Sequence, residues 1–172
     1  LRAAFDLMNT DTGIENLTID AVAKKANVGK TSIFKYFGSK EKLIHEVFIR
    51  SMDEMGEKAK KIMEKNASFE ETLIAMSQNK IDYLEKINKQ FYLDLMSYYT
   101  KKEDSGFTRM MEAYTKQSFG IMLDLFHRGR KEGKVDLKYS DEFLMLYFQA
   151  MIEGISNPQI YEKILPYTAE WI

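Results

Sequence analysis

The sequence predicts an all-α fold in which a three-helix N-terminal segment precedes a longer helical body. Three observations carry this. Apolar residues recur at i, i+3, i+4 and i+7 along nearly the whole chain, the period of a helix with one buried face. Runs of β-branched residues in strand-like alternation are few. The only two prolines, Pro158 and Pro166, lie near the C-terminal end, so residues 1–157 contain no ring that would break a helix.

The chain opens as though inside a helix, with Leu1, Ala4, Phe5 and Met8 on one face, and a trimmed N-terminus is expected. Thr18 caps the next helix, and Asp20 in its first turn suits the positive end of the helix dipole. Ile19, Val22, Ala23 and Ala26 form its narrow apolar face. Asn27-Val28-Gly29 breaks the pattern: Asn and Gly tolerate positive φ, and Val28 is expected to plug the corner. A short helix from about Lys30 to Phe37 follows, with Ile33 and Phe37 inward. Gly38 stops it, and Ser39 caps a third helix whose buried stripe starts at Leu43, Ile44, Val47 and Phe48.

Two short helices joined by a tight turn, the second with a small, hydroxylated and basic outer face, meet the demands of a DNA major groove. Small Thr and Ser let the backbone approach, while Lys and Tyr reach base edges or phosphates. Between Thr18 and Arg50 seven Lys/Arg stand against three acids, a local net +4, in a chain whose net charge is −1. Such a basic patch on a near-neutral protein is the electrostatic footprint of phosphate binding.

The run from Thr18 to Leu43 resembles the DNA-binding segment of the TetR family of bacterial transcriptional regulators. Thr18 opens the second helix, and Ala23-Lys-Lys-Ala26-Asn-Val28 leads into the turn. Phe34-Lys-Tyr36-Phe37 ends the recognition helix, and Ser39-Lys40-Glu-Lys-Leu43 follows. The resemblance covers roughly residues 1–48. It implies a DNA-binding domain there and a ligand-binding and dimerisation domain over 49–172. It also implies that Thr18, Tyr36 and Lys40 meet phosphates, and that Lys30, Thr31, Ser32 and Lys35 meet base edges or nearby phosphates. A basic arm before Leu1 is common in that family.

Beyond the motif, the helix begun at Ser39 runs to about Lys65, past Gly56. Asn66-Ala67-Ser68 ends it, and Ser68 with Glu71 forms a capping box for a helix reaching about Ile87. After a break at Asn88 come Phe91–Tyr99, the polar loop 101–106 and a long helix from Phe107 to Glu132. The last predicted helix, Ser140 to Ser156, is apolar nearly all round, so it must be covered on every side. The same helix of a second subunit is the expected cover. TetR resemblance agrees, since the last two long helices form the dimer interface in that family. Phe119, Leu123 and Phe126, with Leu144, Phe148 and Ile155, are therefore assigned to a homodimer interface.

Catalytic and metal chemistry find no support in the sequence. Gly29-Lys30-Thr31 lacks the upstream glycine of a phosphate loop, because Lys24 holds that position. Ser32/Lys35 and Ser77/Lys80 have the spacing of a Ser/Lys pair without its accompanying motifs. His45 and His127 have no second ligand at metal spacing, and paired carboxylates such as Glu70-Glu71 fall at helix starts. No catalytic residue, metal or cofactor is assigned. Cysteine is absent, which excludes disulfides, and no apolar run approaches the ~18–20 residues of a membrane span. A cytoplasmic location is expected.

The body is rich in Met and aromatic residues: Phe91, Tyr92, Leu95, Met96, Tyr99, Met110, Met111, Tyr114, Met122 and Met151. They fit a packed core, or a cavity in which Met fills irregular gaps and Tyr presents an apolar body with a polar tip. TetR-like proteins hold an inducer in this region, so these ten residues are assigned to a small-molecule effector, mostly apolar or aromatic. Asp94, Gln149 and Glu153 are candidates to orient it. The functional expectation is a ligand-responsive regulator, a repressor, that binds a pseudo-palindromic operator in double-stranded DNA as a homodimer. The alternatives are a helical ligand-binding or protein-interaction module without specific DNA recognition, and a small helical enzyme.

Overall fold

The computed structural model describes residues 1–100 and 106–164, and among them nine helices. They are α1 (Arg2–Met8), α2 (Ile19–Ala26), α3 (Lys30–Phe37), α4 (Lys40–Glu64), α5 (Phe69–Lys86), α6 (Lys89–Thr100), α7 (Gly106–Lys131), α8 (Asp141–Ser156) and α9 (Pro158–Ile164). The all-α expectation holds throughout these residues. None of the helices is long and apolar enough to cross a membrane.

Local chemistry accounts for the boundaries. Thr18 Oγ1 accepts from Ala21 N at 3.1 Å, and Ser39 Oγ accepts from Lys42 N at 3.1 Å, so both predicted N-caps form. Asn27, rather than Gly29, takes the left-handed conformation that ends α2, at φ 53°. Asn66 does the same after α4, at φ 52°. The capping box is complete: Glu71 N donates to Ser68 Oγ at 3.3 Å, and Ser68 N donates to Glu71 Oε2 at 3.1 Å. Helix α6 begins two residues earlier than predicted because Asn88 caps it, its Oδ1 accepting from Gln90 N at 2.8 Å. Helix α9 was not anticipated. Pro158 occupies its first position, where no N–H is needed, and Asn157 Oδ1 accepts from Gln159 N at 2.9 Å.

The chain packs as two compact units. The first comprises Leu1–Glu57 and Lys80–Leu95, so it extends well past the 1–48 segment marked by the motif. Its core explains the extension. Phe91 of α6, fully buried, meets Phe5 edge-on at 5.2 Å and Phe48 at 5.3 Å between ring centroids. Ala4, Met8, Leu17, Val22, Ile33, Leu43 and Val47 complete the apolar interior. Two expectations fail here. Ala26 and Val28 are exposed, Val28 at 46%, whereas Leu17 and Ile33 are buried.

The loop between α1 and α2 is pinned inside this unit by polar contacts. Asp94 Oδ2 accepts from Ile14 N at 2.8 Å, and Gln90 Nε2 donates to Asp94 Oδ1. Asn9 bonds both the Lys86 carbonyl and Asn88 N, and Asn88 reaches Asp11. Gly13 sits at φ +53°, where a Cβ would fall 2.0 Å from Asp94 Oδ2, so glycine is required twice over.

The second unit comprises Lys58–Asn79 and Met96–Ile172, of which the described residues end at 164. Helix α7 organises it. Arg128 donates to the carbonyls of Ala67 and Met63 and to Thr72 Oγ1, at 2.8, 3.3 and 2.9 Å. One guanidinium thus satisfies the end of α4, the connecting loop and the first turn of α5. Glu132 accepts from Phe69 N through both carboxylate oxygens, at 2.8 and 3.0 Å, capping α5 from outside. At the other corner of the unit, Asp141 at the start of α8 bonds His127 at 2.8 Å and also Arg130. Those two bonds hold the Asp141 carboxyl below the usual carboxylate range.

Replacing Arg128 with Met is expected to destabilise the fold by about 1.5–3 kcal/mol, since three acceptors lose a charged donor. Urea unfolding measures it, and an unchanged midpoint would remove the clamp. Because the folded-state value of Asp141 is depressed, its contribution is complete above the ordinary carboxylate value and is lost as pH falls through that value and below. The melting-temperature difference between wild type and Asp141→Asn should shrink accordingly on acidification; a difference constant with pH would contradict it.

Candidate nucleic-acid interface

Helix α3 shows its two sides clearly. Ile33 is buried and Phe37 half-buried, anchoring the helix on the core of the first unit. Lys30, Thr31, Ser32, Lys35 and Tyr36 are all exposed, Tyr36 at 87%. With 3.6 residues per turn, Thr31, Ser32 and Lys35 project from the side opposite Ile33 and Phe37. Gly29 at the N-terminus adopts an extended conformation and offers no side-chain cap, and its carbonyl accepts from Ser32 N at 3.0 Å. Gly38 at φ +76° turns the chain toward Ser39, which places Lys40 in the exposed first turn of α4.

All seven residues predicted to meet DNA (Thr18, Lys30, Thr31, Ser32, Lys35, Tyr36 and Lys40) are therefore exposed and lie on the caps and faces of α2, α3 and the start of α4. Thr18 is committed to its capping bond through one acceptor position, which leaves its hydroxyl proton for a phosphate. Lys30 forms an ion pair with Asp20, so the pair must open before Lys30 can reach a base. The sequence reading missed this pairing, although the acid in the first turn of α2 and the Lys at the first position of α3 were its signal. Phe34 is 49% exposed on the same helix, apolar surface of the kind that meets a thymine methyl.

The residues assigned to an effector are divided between the two units. Phe91, Tyr92 and Leu95 belong to the first, with Phe91 and Leu95 buried in its core. Met96, Met110, Met111, Tyr114, Met122 and Met151 belong to the second, where Met111 is buried and Met151 is exposed. The side chain of Tyr99 and loop residues 101–105 lie outside the described residues. Asp94 was expected to orient a ligand; it is occupied by Ile14 N and Gln90. Gln149 and Glu153 bond each other at 2.8 Å on the exposed face of α8.

Among the residues assigned to a dimer interface, Phe119, Leu123, Phe126, Leu144 and Phe148 are half-buried. Phe148 meets Phe119 edge-on at 6.3 Å, so that side of α8 already packs on α7. The side chain of Ile155 lies outside the described residues. The broad apolar surface left open on α8 is Phe143, Leu146, Tyr147 and Met151, a face that the sequence reading did not separate from the inner one. Tyr139, Phe143 and Tyr147 stack along it, with adjacent centroids 5.4 and 6.3 Å apart.

Residues 1–47 match the family described as bacterial regulatory proteins, tetR family. The uncharacterized HTH-type transcriptional regulator YhgD of Bacillus subtilis (strain 168) is 42% identical over 64 residues, 37% of this chain and 34% of that protein. The match therefore spans about a third of the length of that relative. Among solved structures, the transcriptional regulator FadR of Bacillus subtilis, in complex with stearoyl-CoA, superposes with a TM-score of 0.70 at 16% identity, over 96% of this chain and 85% of that one. The TetR family regulator PfmR of Thermus thermophilus superposes with a TM-score of 0.68 at 18% identity, over 90% and 82%. Likeness at these identities is likeness of fold.

Replacing Lys40 with Ala is expected to weaken binding to specific and random duplexes alike. It should also lower the slope of log affinity against log salt by about one per subunit. Fluorescence anisotropy across a salt series reads both, and identical slopes would take Lys40 out of the phosphate contacts.

Proposed function

We propose, for a chain that belongs to the tetR family of bacterial regulatory proteins, that it is a cytoplasmic repressor. In this reading residues 1–48 bind a pseudo-palindromic operator and residues 49–172 bind an effector and form a homodimer. One observation carries the reading. Helix α3 is held on the core by Ile33 while Thr31, Ser32, Lys35 and Tyr36 stand free on its outer side. That is the shape and chemistry a major groove accepts. The exposed apolar strip Phe143–Leu146–Tyr147–Met151 on α8 supports the dimer, since a run of large apolar side chains open to water calls for a partner. Half-site recognition by two copies of α3 then requires operator centres one turn of DNA apart, roughly 34–36 Å or somewhat more.

The effector is small and mostly apolar or aromatic. The Met and Tyr content of the second unit supports this, as does the stearoyl-CoA in complex with FadR, a relative in fold. Its action is a population shift: the effector favours a state in which α4 pivots and the separation of the two α3 helices no longer fits the operator. Only differential affinity for the two states can do this.

The test is selection of bound fragments from the source genome by the full-length protein at two salt concentrations. One or a few palindromes are expected to survive at both. Random fragments that vanish steeply as salt rises would reduce the interaction to phosphate binding and overturn specific regulation. For the switch, the Lys35-to-Lys35 separation across the dimer is expected to change between free and effector-bound crystals. An unchanged separation would rule out the pivot.

A further inference from the structure

The first unit contains a cleft of about 480 Å³ bounded by α1, α4 and α5, with no residue of α2 or α3 in its lining. Its polar centre is a hydroxyl pair: Ser51 of α4, buried at 7% exposure, and Tyr83 of α5, with their oxygens 2.8 Å apart. Two hydroxyls own two protons and their mutual bond uses one. The second O–H is therefore available to an occupant. Burial of the phenol, with the charge on Glu54 adding to it, raises Tyr83 against the opposing Ser51 bond, so Tyr83 stays protonated.

Charge narrows the occupant further. Arg2, Arg50 and Lys86 line the cleft together with two carboxylates, Asp6 and Glu54. Both acids are engaged within the protein: Asp6 pairs with Lys25 at 3.4 Å, and Glu54 with Arg50 at 3.7 Å. Arg2 and Lys86 have no ion-pair partner among the described residues. The rest of the wall, apart from the Ser51–Tyr83 pair, is hydrocarbon from Leu1, Phe5, Val47 and Ile87. A neutral molecule leaves the two cations unanswered, and a small inorganic anion leaves the apolar wall in water.

We propose that this cleft is a second effector site that binds a compact carboxylate bearing an apolar group. Its carboxylate lies against Arg2, Lys86 and the spare hydroxyl proton, and its hydrocarbon lies on Phe5, Val47 and Ile87. None of the ten residues assigned to the effector lines this cleft. Because α1 and residues 40–57 of α4 belong to the same unit as α3, an occupant here acts on the DNA-reading unit directly.

The experiment is calorimetric titration of the full-length protein with hexanoate, and with hexanol and hexylamine as neutral and cationic counterparts. Saturable hexanoate binding is expected, at least tenfold tighter than either counterpart. Lys86→Gln, and separately the double change Ser51→Ala with Tyr83→Phe, should each weaken it about tenfold or more, the value of a hydrogen bond to a charged group. Circular dichroism and melting curves confirm that both variants are folded; should the double variant unfold, Lys86→Gln and magnetisation transfer from hexanoate to the Phe5 ring decide alone. Absence of saturable binding overturns the proposal. So does equal affinity for hexanol, or hexanoate binding untouched by Lys86→Gln. None of these readings involves DNA, so the result is independent of whether an operator is found.

Discussion

One uninterrupted helix, α4, has to satisfy two separate cores, and much of the structure follows from that constraint. Its first half buries Leu43, Ile44, Val47, Phe48 and Ile49 in the first unit. Residues 58–64 belong to the second, where the Met63 carbonyl accepts from Asn66 N at 3.2 Å and again from Arg128. The two ends are held by different physics. Apolar burial fixes the N-terminal half, at about 25 cal/mol per Å² removed from water. A single charged donor, shared among three acceptors, fixes the C-terminal end.

The first unit also depends on an exchange between polar and apolar contacts at the α1–α2 loop. The Phe5–Phe91–Phe48 stack brings α1, α6 and α4 together without specifying register, because edge-on rings tolerate sliding. Asp94 and Asn9 supply the register. Each bonds backbone groups of a segment distant in sequence, and such bonds are costly to leave half-made. A loop that reads as mere spacing along the chain is thus fixed to α6 as firmly as a helix would be.

Helix α3, with its ends and its outward side, was legible in the sequence. Its signals are local: a capping Thr, a residue able to take positive φ, one inward Ile and a terminal Gly act within a few positions of one another. Where the reading failed, neighbours distant in sequence were responsible. Val28 was expected inside and is 46% exposed, while Leu17 and Ile33 are buried. Lys30 was taken as free and is paired across the turn with Asp20. Helix α8 read as uniformly apolar, and periodicity could not say which face would meet α7. Phe148 against Phe119 answers that, and it leaves Phe143, Leu146 and Tyr147 as the open side.

By itself, then, the sequence determined the helical class, the caps and breaks, and the outward chemistry of α3. Each of these depends on dihedral preference and hydrogen bonds spanning a turn or two. Only the tertiary structure decided that residues 80–95 join the N-terminal unit, that Asp94 holds a loop, and that Arg128 closes a corner. It also decided that Ser51 and Tyr83 meet at the base of a cleft. Those outcomes turn on which buried polar group lies within ~3 Å of which partner, a distance that separation along the chain does not encode.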